Sequence, residues 1–292
     1  MFKGSMVALV TPMQENGEID FKAFDRLIDW HIDAGTDALV IVGTTGESVT
    51  LTEDEQSKLI KHAVKKVNGK IPIIAGTGSN STAKTIKMTE KVMHSGAHAA
   101  LIVTPYYNKP TQEGLYQHYK KISATVPIPI IIYNVPSRTA CDILPATIAR
   151  LSHVPNIIGV KEATGSTERC REILALTQTK MHVYSGDDVT ALDLMFAGAK
   201  GVISVTANIA PALMAKMCAC LLNADFAQAI SYNNQLRALH KAITMEVNPI
   251  PTKWALHKMG LISAGIRLPL LPLSQQYHAQ MLEAMQAADI KI

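Results

Sequence analysis

A chain of 292 residues with 48% hydrophobic and 18% charged residues can bury a full core, and the absence of low-complexity stretches excludes a largely disordered protein. The formal charge of +4 is small, and Lys58, Lys61, Lys65, Lys66 and Lys70 recur at the spacing of a solvated helix face, so a nucleic-acid partner is not expected. Four cysteines without paired CxxC spacing point to reduced thiols in a cytoplasm, and no apolar run has the length needed to span a bilayer.

The elements alternate along the chain. The first apolar run, 6–11, imitates the core of a signal peptide, but Pro12 ends it early and no small-residue cleavage site follows, so it reads as a strand. A helix from Asp20 to Ala34 stops at Gly35, and a strand follows at 38–43. The next helix, Thr52 to Val67, opens on a capping threonine with Glu53, Asp54 and Glu55 in its first turn, where the helix dipole favours them. Strand 71–76, helix Ser81 to Ser95, strand 99–104, helix Gln112 to Ala124 and strand 129–134 repeat the pattern. Pro145 opens a further helix, strands follow at 157–162 and 181–185, Gly198 closes the helix after them, and strand 201–206 is the eighth. The remainder is helical.

Each strand is almost continuously apolar, as parallel strands covered on both faces must be. Eight such units in about 210 residues predict an α/β fold of the closed (β/α)8, or TIM, barrel type with a C-terminal helical extension. We expect the barrel with its last helix to occupy 1–247 and the helical segment 248–292. An open doubly wound sheet is the alternative. Its expected dinucleotide fingerprint fails in Gly76-Thr77-Gly78-Ser79-Asn80-Ser81, which lacks the third glycine.

Barrel enzymes place their chemistry at the carboxyl ends of the strands. Strand 157–162 ends in Lys161, a cation on an apolar run, and an unpaired buried ammonium costs several kcal/mol unless it gives up its proton. A neutral amine there forms a Schiff base with a carbonyl compound. The unreactive alternatives are a lysine that snorkels to water or one that pairs with Glu162.

Other strand ends add polar groups. Gly43-Thr44-Thr45-Gly46-Glu47 turns sharply and leaves amides and hydroxyls free for a small carboxylate, with no lysine to make it a P-loop. Tyr107 and Tyr133 are phenols able to pass protons, and Arg138 carries the planar fork that binds a carboxylate. Asp187 and Asp188 are expected to cap a helix that begins there; with no HExxH or Cys/His cluster in the chain, no metal is expected.

Three ordered motifs, GTTGE at 43–47, YNVPSRT at 133–139 and GVKEATG at 159–165, resemble the dihydrodipicolinate synthase family, and the likeness runs over essentially the whole chain. The resemblance implies a class I aldolase-type lyase that condenses pyruvate with aspartate 4-semialdehyde on the way to diaminopimelate and lysine, without cofactor or metal. It implies that Lys161 forms the pyruvate imine, that Thr44, Tyr107 and Tyr133 relay protons, and that the Thr44 and Thr45 loop takes the pyruvate carboxylate. Arg138 would take the aldehyde's carboxylate, with Gly186 and Ile203 lining the site through their backbones. It further implies a homotetramer, a dimer of dimers, in which Tyr107 reaches into a partner's site.

The chain departs from the family pattern at one place. In members that lysine inhibits, the ligand binds at positions corresponding to Ser48, Val49, Glu53, Gln56, Asn80, Lys84 and Tyr106, and a glutamate usually stands where this chain has Lys84. A cation there repels the ligand's ammonium, so weak or absent lysine inhibition is expected. The rivals are N-acetylneuraminate lyase or a keto-deoxy sugar-acid aldolase, which have no need of Arg138, and a non-catalytic small-acid sensor, which would have lost part of this constellation.

Overall fold

A computed structural model of the protein describes residues 2–292. Eight parallel strands close into one barrel in sequence order. They are β1 (Gly4–Ala8), β2 (Ala38–Ile41), β3 (Ile73–Gly76), β4 (Ala99–Val103), β5 (Ile130–Asn134), β6 (Ile157–Glu162), β7 (His182–Ser185) and β8 (Gly201–Ser204). Around them run α1 (Phe21–Asp33), α2 (Glu53–Val67), α3 (Thr82–His94), α4 (Gln112–Thr125), α5 (Pro136–Thr139), α6 (Pro145–Leu151), α7 (Thr167–Thr177), α8 (Ala191–Phe196) and α9 (Pro211–Leu222). Three helices complete the chain: α10 (Phe226–Ala242), α11 (Ile250–Lys258) and α12 (His278–Ala287). No helix among the described residues is long and apolar enough to cross a membrane.

The pleat divides the hydrophobic residues into two sets. Met6, Val40, Ile74, Leu101, Ile131 and Ile203 fill the barrel interior, while Val7, Leu39, Ile73, Ile102, Ile132 and Val160 face the helices in a larger outer core. Each such side chain contributes about 1.5–3 kcal/mol on burial.

Helix starts are set locally. The side chains of Asp20, Thr52, Ser81, Thr111, Ser166 and Asp225 each accept a hydrogen bond from a first-turn amide, and Thr52 with Glu55 completes a capping box. Several strands are shorter than expected, β2 ending at Ile41 rather than at 43, and at two ends side chains replace the ladder. The Asn208 amide accepts from Val10 N at 3.0 Å and donates to Ala8 O at 2.8 Å, which ends β1 before Thr11. The Asp188 carboxylate takes the amides of Val205 and Thr206 at 2.8 and 3.0 Å, so β8 gives way to a 3₁₀ turn, Thr206–Asn208.

Gly76 owes its place to packing. A Cβ there would lie 2.1 Å from Val42 O, so only glycine lets the end of β2 approach β3. The segment 248–292 is tied to the barrel by charge as well as packing. Lys253 Nζ on α11 meets Glu47 Oε1 at 2.5 Å with both side chains buried, and Arg267 forks onto Glu55 at 2.5 and 2.9 Å.

Candidate active site

Successive side chains at the end of β6 leave by opposite faces. Glu162, fully buried, enters the outer wall, where it accepts from Thr164 N at 2.9 Å and Asn134 Nδ2 at 3.0 Å and lies 3.2 Å from Arg169 Nε. Lys161 enters the barrel mouth, opposite Tyr133 on β5 and Tyr184 on β7. It is 4% exposed, and its Nζ lies 4.3 Å from the centre of the Tyr133 ring. Among the described residues no carboxylate reaches it. Neither the snorkelling nor the Glu162-paired alternative describes this lysine.

The side chain has room because position 186 is glycine. A Cβ there would stand 2.7 Å from Ala163 Cβ, 3.0 Å from Lys161 Cε and 3.1 Å from Lys161 Cγ. The loop after β2 is held from both sides. Val42 and Glu47 adopt left-handed backbone, the amides of Gly46 and Glu47 bond back to Gly43 O and Thr44 O at 3.1 Å, and buried Glu47 is locked to Lys253. The Thr44 and Thr45 amides make no backbone hydrogen bond among the described residues, which leaves them open to a carboxylate.

These groups share a cavity of about 240 Å³, lined by Lys161, Tyr133, Thr44, Thr45, Arg138 and Gly186. Four separate strand ends, those of β2, β5, β6 and β7, thus converge, as the barrel rule requires. The exposed Arg138 lies on α5, a single turn opened by Pro136, and its Nη2 donates to Asn248 O at 3.3 Å.

Two anticipated residues stand apart within one chain. Tyr107 is 88% exposed, has a left-handed backbone at φ 73°, and lines no part of this cavity. Ile203 is fully buried in the barrel interior, and Val205 is the β8-side residue that reaches the cavity. Neither Tyr133 Oη nor Thr44 Oγ1 hydrogen-bonds to another described side chain, so one chain alone does not close a relay.

The opposite wall comes from residues that no local pattern marks. Asn248, just before α11, donates Nδ2–H to Thr45 Oγ1 at 2.9 Å, and His240 and Thr244 from the end of α10 and its exit flank it. The two aspartates also divide their labour differently from expectation. Asp187 Oδ2 accepts from Thr190 N and Oγ1 at 3.0 and 2.7 Å just before α8 begins at Ala191. Asp188 turns away to bind Ser204 Oγ at 2.5 Å and the two amides after β8, so it caps the turn at 206–208 and not a helix at 187. Burial lowers the His240 pKa against the raising influence of both aspartates, and burial likewise pulls Lys253 down against Glu47.

A second cavity of about 510 Å³ adjoins the first across Thr44, Tyr133 and Arg138, and Ser48, Glu53, Gln56, Lys84 and Tyr106 line it. Glu53 is already engaged by Lys91 at 3.3 Å and Lys87 at 3.4 Å, which hold its carboxyl below the usual range.

A secluded lysine at the mouth of a (β/α)8 barrel, with open amides and a guanidinium around one small cavity, defines an imine-forming lyase of the class I aldolase type. Comparison with known proteins narrows the class. The model of the dihydrodipicolinate synthetase family matches residues 1–288, and the chain belongs to that family. It is 54% identical over 290 residues to 4-hydroxy-tetrahydrodipicolinate synthase of Stutzerimonas stutzeri, covering 99% of both chains, and 54% identical to that of Coxiella burnetii over 100% of both. Among solved structures it resembles the chloride-inhibited dihydrodipicolinate synthase of Acinetobacter baumannii complexed with pyruvate, at TM-score 0.98 and 52% identity over the full length of both.

Proposed function

We propose that the protein condenses pyruvate with L-aspartate 4-semialdehyde to 4-hydroxy-tetrahydrodipicolinate, in diaminopimelate and lysine biosynthesis. The observation that carries this reading is Lys161, unpaired and 4% exposed in a small cavity, in a chain whose full-length relatives bear that enzyme's name. The Lys161 amine attacks the pyruvate ketone, and the carbinolamine loses water to give the imine. Loss of a methyl proton gives the enamine, whose terminal carbon bonds to the aldehyde carbon while the aldehyde oxygen takes a proton. The substrate's own amine then attacks the imine carbon and closes the ring, and Lys161 leaves as the free amine.

In this scheme the Thr44 and Thr45 loop receives the pyruvate carboxylate and Arg138 that of the aldehyde, while Gly186 and Ile203 shape the site through their backbones. Tyr133, Thr44 and Tyr107 relay protons, with Tyr107 supplied by a partner in a homotetramer built as a dimer of dimers. The exposure of Tyr107 and the open relay in a single chain support that sharing. Mixing Lys161→Ala with Tyr107→Phe chains should restore activity, because one composite site then holds both groups; mixtures as inactive as their parents would exclude sharing. No metal or cofactor enters the scheme. Four free cysteines support a reducing, cytoplasmic setting.

We also propose that L-lysine inhibits weakly or not at all. Lys84 faces the second cavity, and Glu53, the one carboxylate there, is already paired. Inhibition at submillimolar L-lysine would overturn this.

The decisive experiment offers the purified protein pyruvate with aspartate 4-semialdehyde or with N-acetylmannosamine, and traps any imine with borohydride for mass spectrometry. Turnover with the semialdehyde and an adduct on Lys161 is expected. Turnover with the sugar alone would move the protein to the lyase branch, and absence of any adduct would favour the sensor.

A further inference from the structure

His240 lies on α10, outside the barrel, and the reaction scheme gives it no part. Its imidazole is 2% exposed, and the residue lines the cavity that holds Lys161. One ring nitrogen is committed, since Nδ1 lies 2.9 Å from Thr206 Oγ1, while the other, Nε2, is buried without a protein partner. A buried polar nitrogen left unpaired carries the full cost of its lost hydration, so its retention calls for a partner that arrives from elsewhere.

The surrounding hydrogen bonds assign the tautomer. Thr206 is fully buried, its amide donates to Asp188 Oδ2 at 3.0 Å, and its hydroxyl has no acceptor among the described residues other than His240 Nδ1. If Nδ1 carried the hydrogen, the threonine proton would have nowhere to go. The arrangement that satisfies every member therefore has Thr206 donating to Nδ1, which places the imidazole hydrogen on Nε2. Asp188 fixes the turn behind it through Ser204 Oγ, Val205 N and Thr206 N. The result is a rigid, neutral N–H donor, free of any protein partner, on a residue that lines the cavity.

What it meets follows from its neighbours. His240 shares its wall with Thr244 and Asn248, and Asn248 O is where the Arg138 guanidinium is tied, at 3.3 Å. Lys161 lines the same cavity from the end of β6. An oxo acid bound as an imine on Lys161 therefore shares this cavity with the wall of His240 and Asn248, to which Arg138, assigned above to the second substrate, is tied. We propose that His240 Nε2–H hydrogen-bonds an oxygen of the aldehyde substrate and orients it toward the enamine, which makes His240 a specificity-determining residue for that substrate and not for pyruvate. This rests on the proposed condensation.

Two variants separate the role from a structural one. An asparagine amide overlaps Nδ1 and keeps the Thr206 contact but loses the donor into the cavity, whereas a glutamine amide overlaps Nε2 and does the reverse. KM for L-aspartate 4-semialdehyde would be measured for wild type, His240→Asn and His240→Gln, per site titrated by borohydride trapping of the pyruvate imine, so that unfolded protein lowers the site count without moving KM. The expected result is a KM raised about tenfold or more in His240→Asn, the loss of one hydrogen bond, with KM in His240→Gln within about threefold of wild type and imine trapping intact in both. The reverse order, equal effects, no effect in either, or loss of the pyruvate imine in His240→Asn would overturn the proposal. Failure of the wild type to form an imine would instead remove the condensation reading, and this inference with it.

Discussion

Lys161 and Glu162 are neighbours on one strand, and the molecule treats them in opposite ways. Glu162, on the outer face of β6, is fully buried and satisfied by Asn134, Thr164 and Arg169. Lys161, on the inner face, is almost as buried and has only a tyrosine ring beside it. A buried charge in a wall must be paired, whereas a group meant to form a covalent bond must be left unpaired in space that a substrate can enter. The pleat separates the two duties by one residue.

The largest test of this contrast is Lys161→Ala. Removing the proposed nucleophile should lower turnover by about 10⁴-fold or more and abolish borohydride trapping, because the proposed scheme gives the imine to no other group. The unfolding free energy in urea should stay within about 1 kcal/mol of wild type, since Lys161 makes no ion pair or hydrogen bond for the substitution to break. Strong destabilisation would show that Lys161 has a structural duty.

Glu162→Ala should do the opposite. It strands Arg169 and Asn134 in the wall, and the cost should be about 3 kcal/mol, moderated because Arg169 also holds Asp142 at 2.7 Å. Imine formation per folded molecule should be preserved. A fall in imine yield without loss of stability would erase the contrast.

Gly186→Ala sharpens it from the cavity side. The new methyl group would stand 2.7–3.1 Å from Ala163 and the Lys161 stem, and the shift of about 1 Å in Lys161 that relieves this contact should slow imine formation by about 100-fold with a smaller effect on stability. Stopped-flow or quench trapping with pyruvate reads this directly. Arg138→Ala should leave that step intact and lower kcat/KM for the aldehyde by about tenfold or more.

The smallest effect belongs to the outer wall. His31 is fully buried, with Nδ1 2.9 Å from Thr36 Oγ1, and burial lowers its pKa to about 3. The imidazole is neutral in the fold, so its contribution is complete above the unfolded value near 6.5 and is lost as pH falls from there toward 3. At pH 5 the loss should be about 2 kcal/mol, read as a drop in the urea midpoint between pH 7.5 and 5. His31→Gln should remove that part of the slope, and an unchanged slope would refute the assignment.

The barrel, the order of its strands and the secluded lysine at the mouth were legible in the sequence because each rests on a local signal. Apolar runs of strand length alternate with helices that cap on their own Thr52, Ser81 and Thr111, and a lysine at the end of an apolar run stands out by type alone. The far wall of the cavity was not legible. Asn248 meets Thr45 across 203 positions, Lys253 meets Glu47 across 206, and His240 finds Thr206 across 34, with no periodicity or motif linking the partners. Nor could spacing tell that Asp188 caps the turn after β8 while its neighbour precedes α8, since both suit a cap. Local patterns record what a segment does within a few residues; barrel closure alone brings β8 beside β1 and folds α10 and α11 over the mouth. The sequence determined the frame and the position of Lys161, and the tertiary structure decided what surrounds that lysine, because long-range contacts depend on which strand ends the closed sheet makes neighbours.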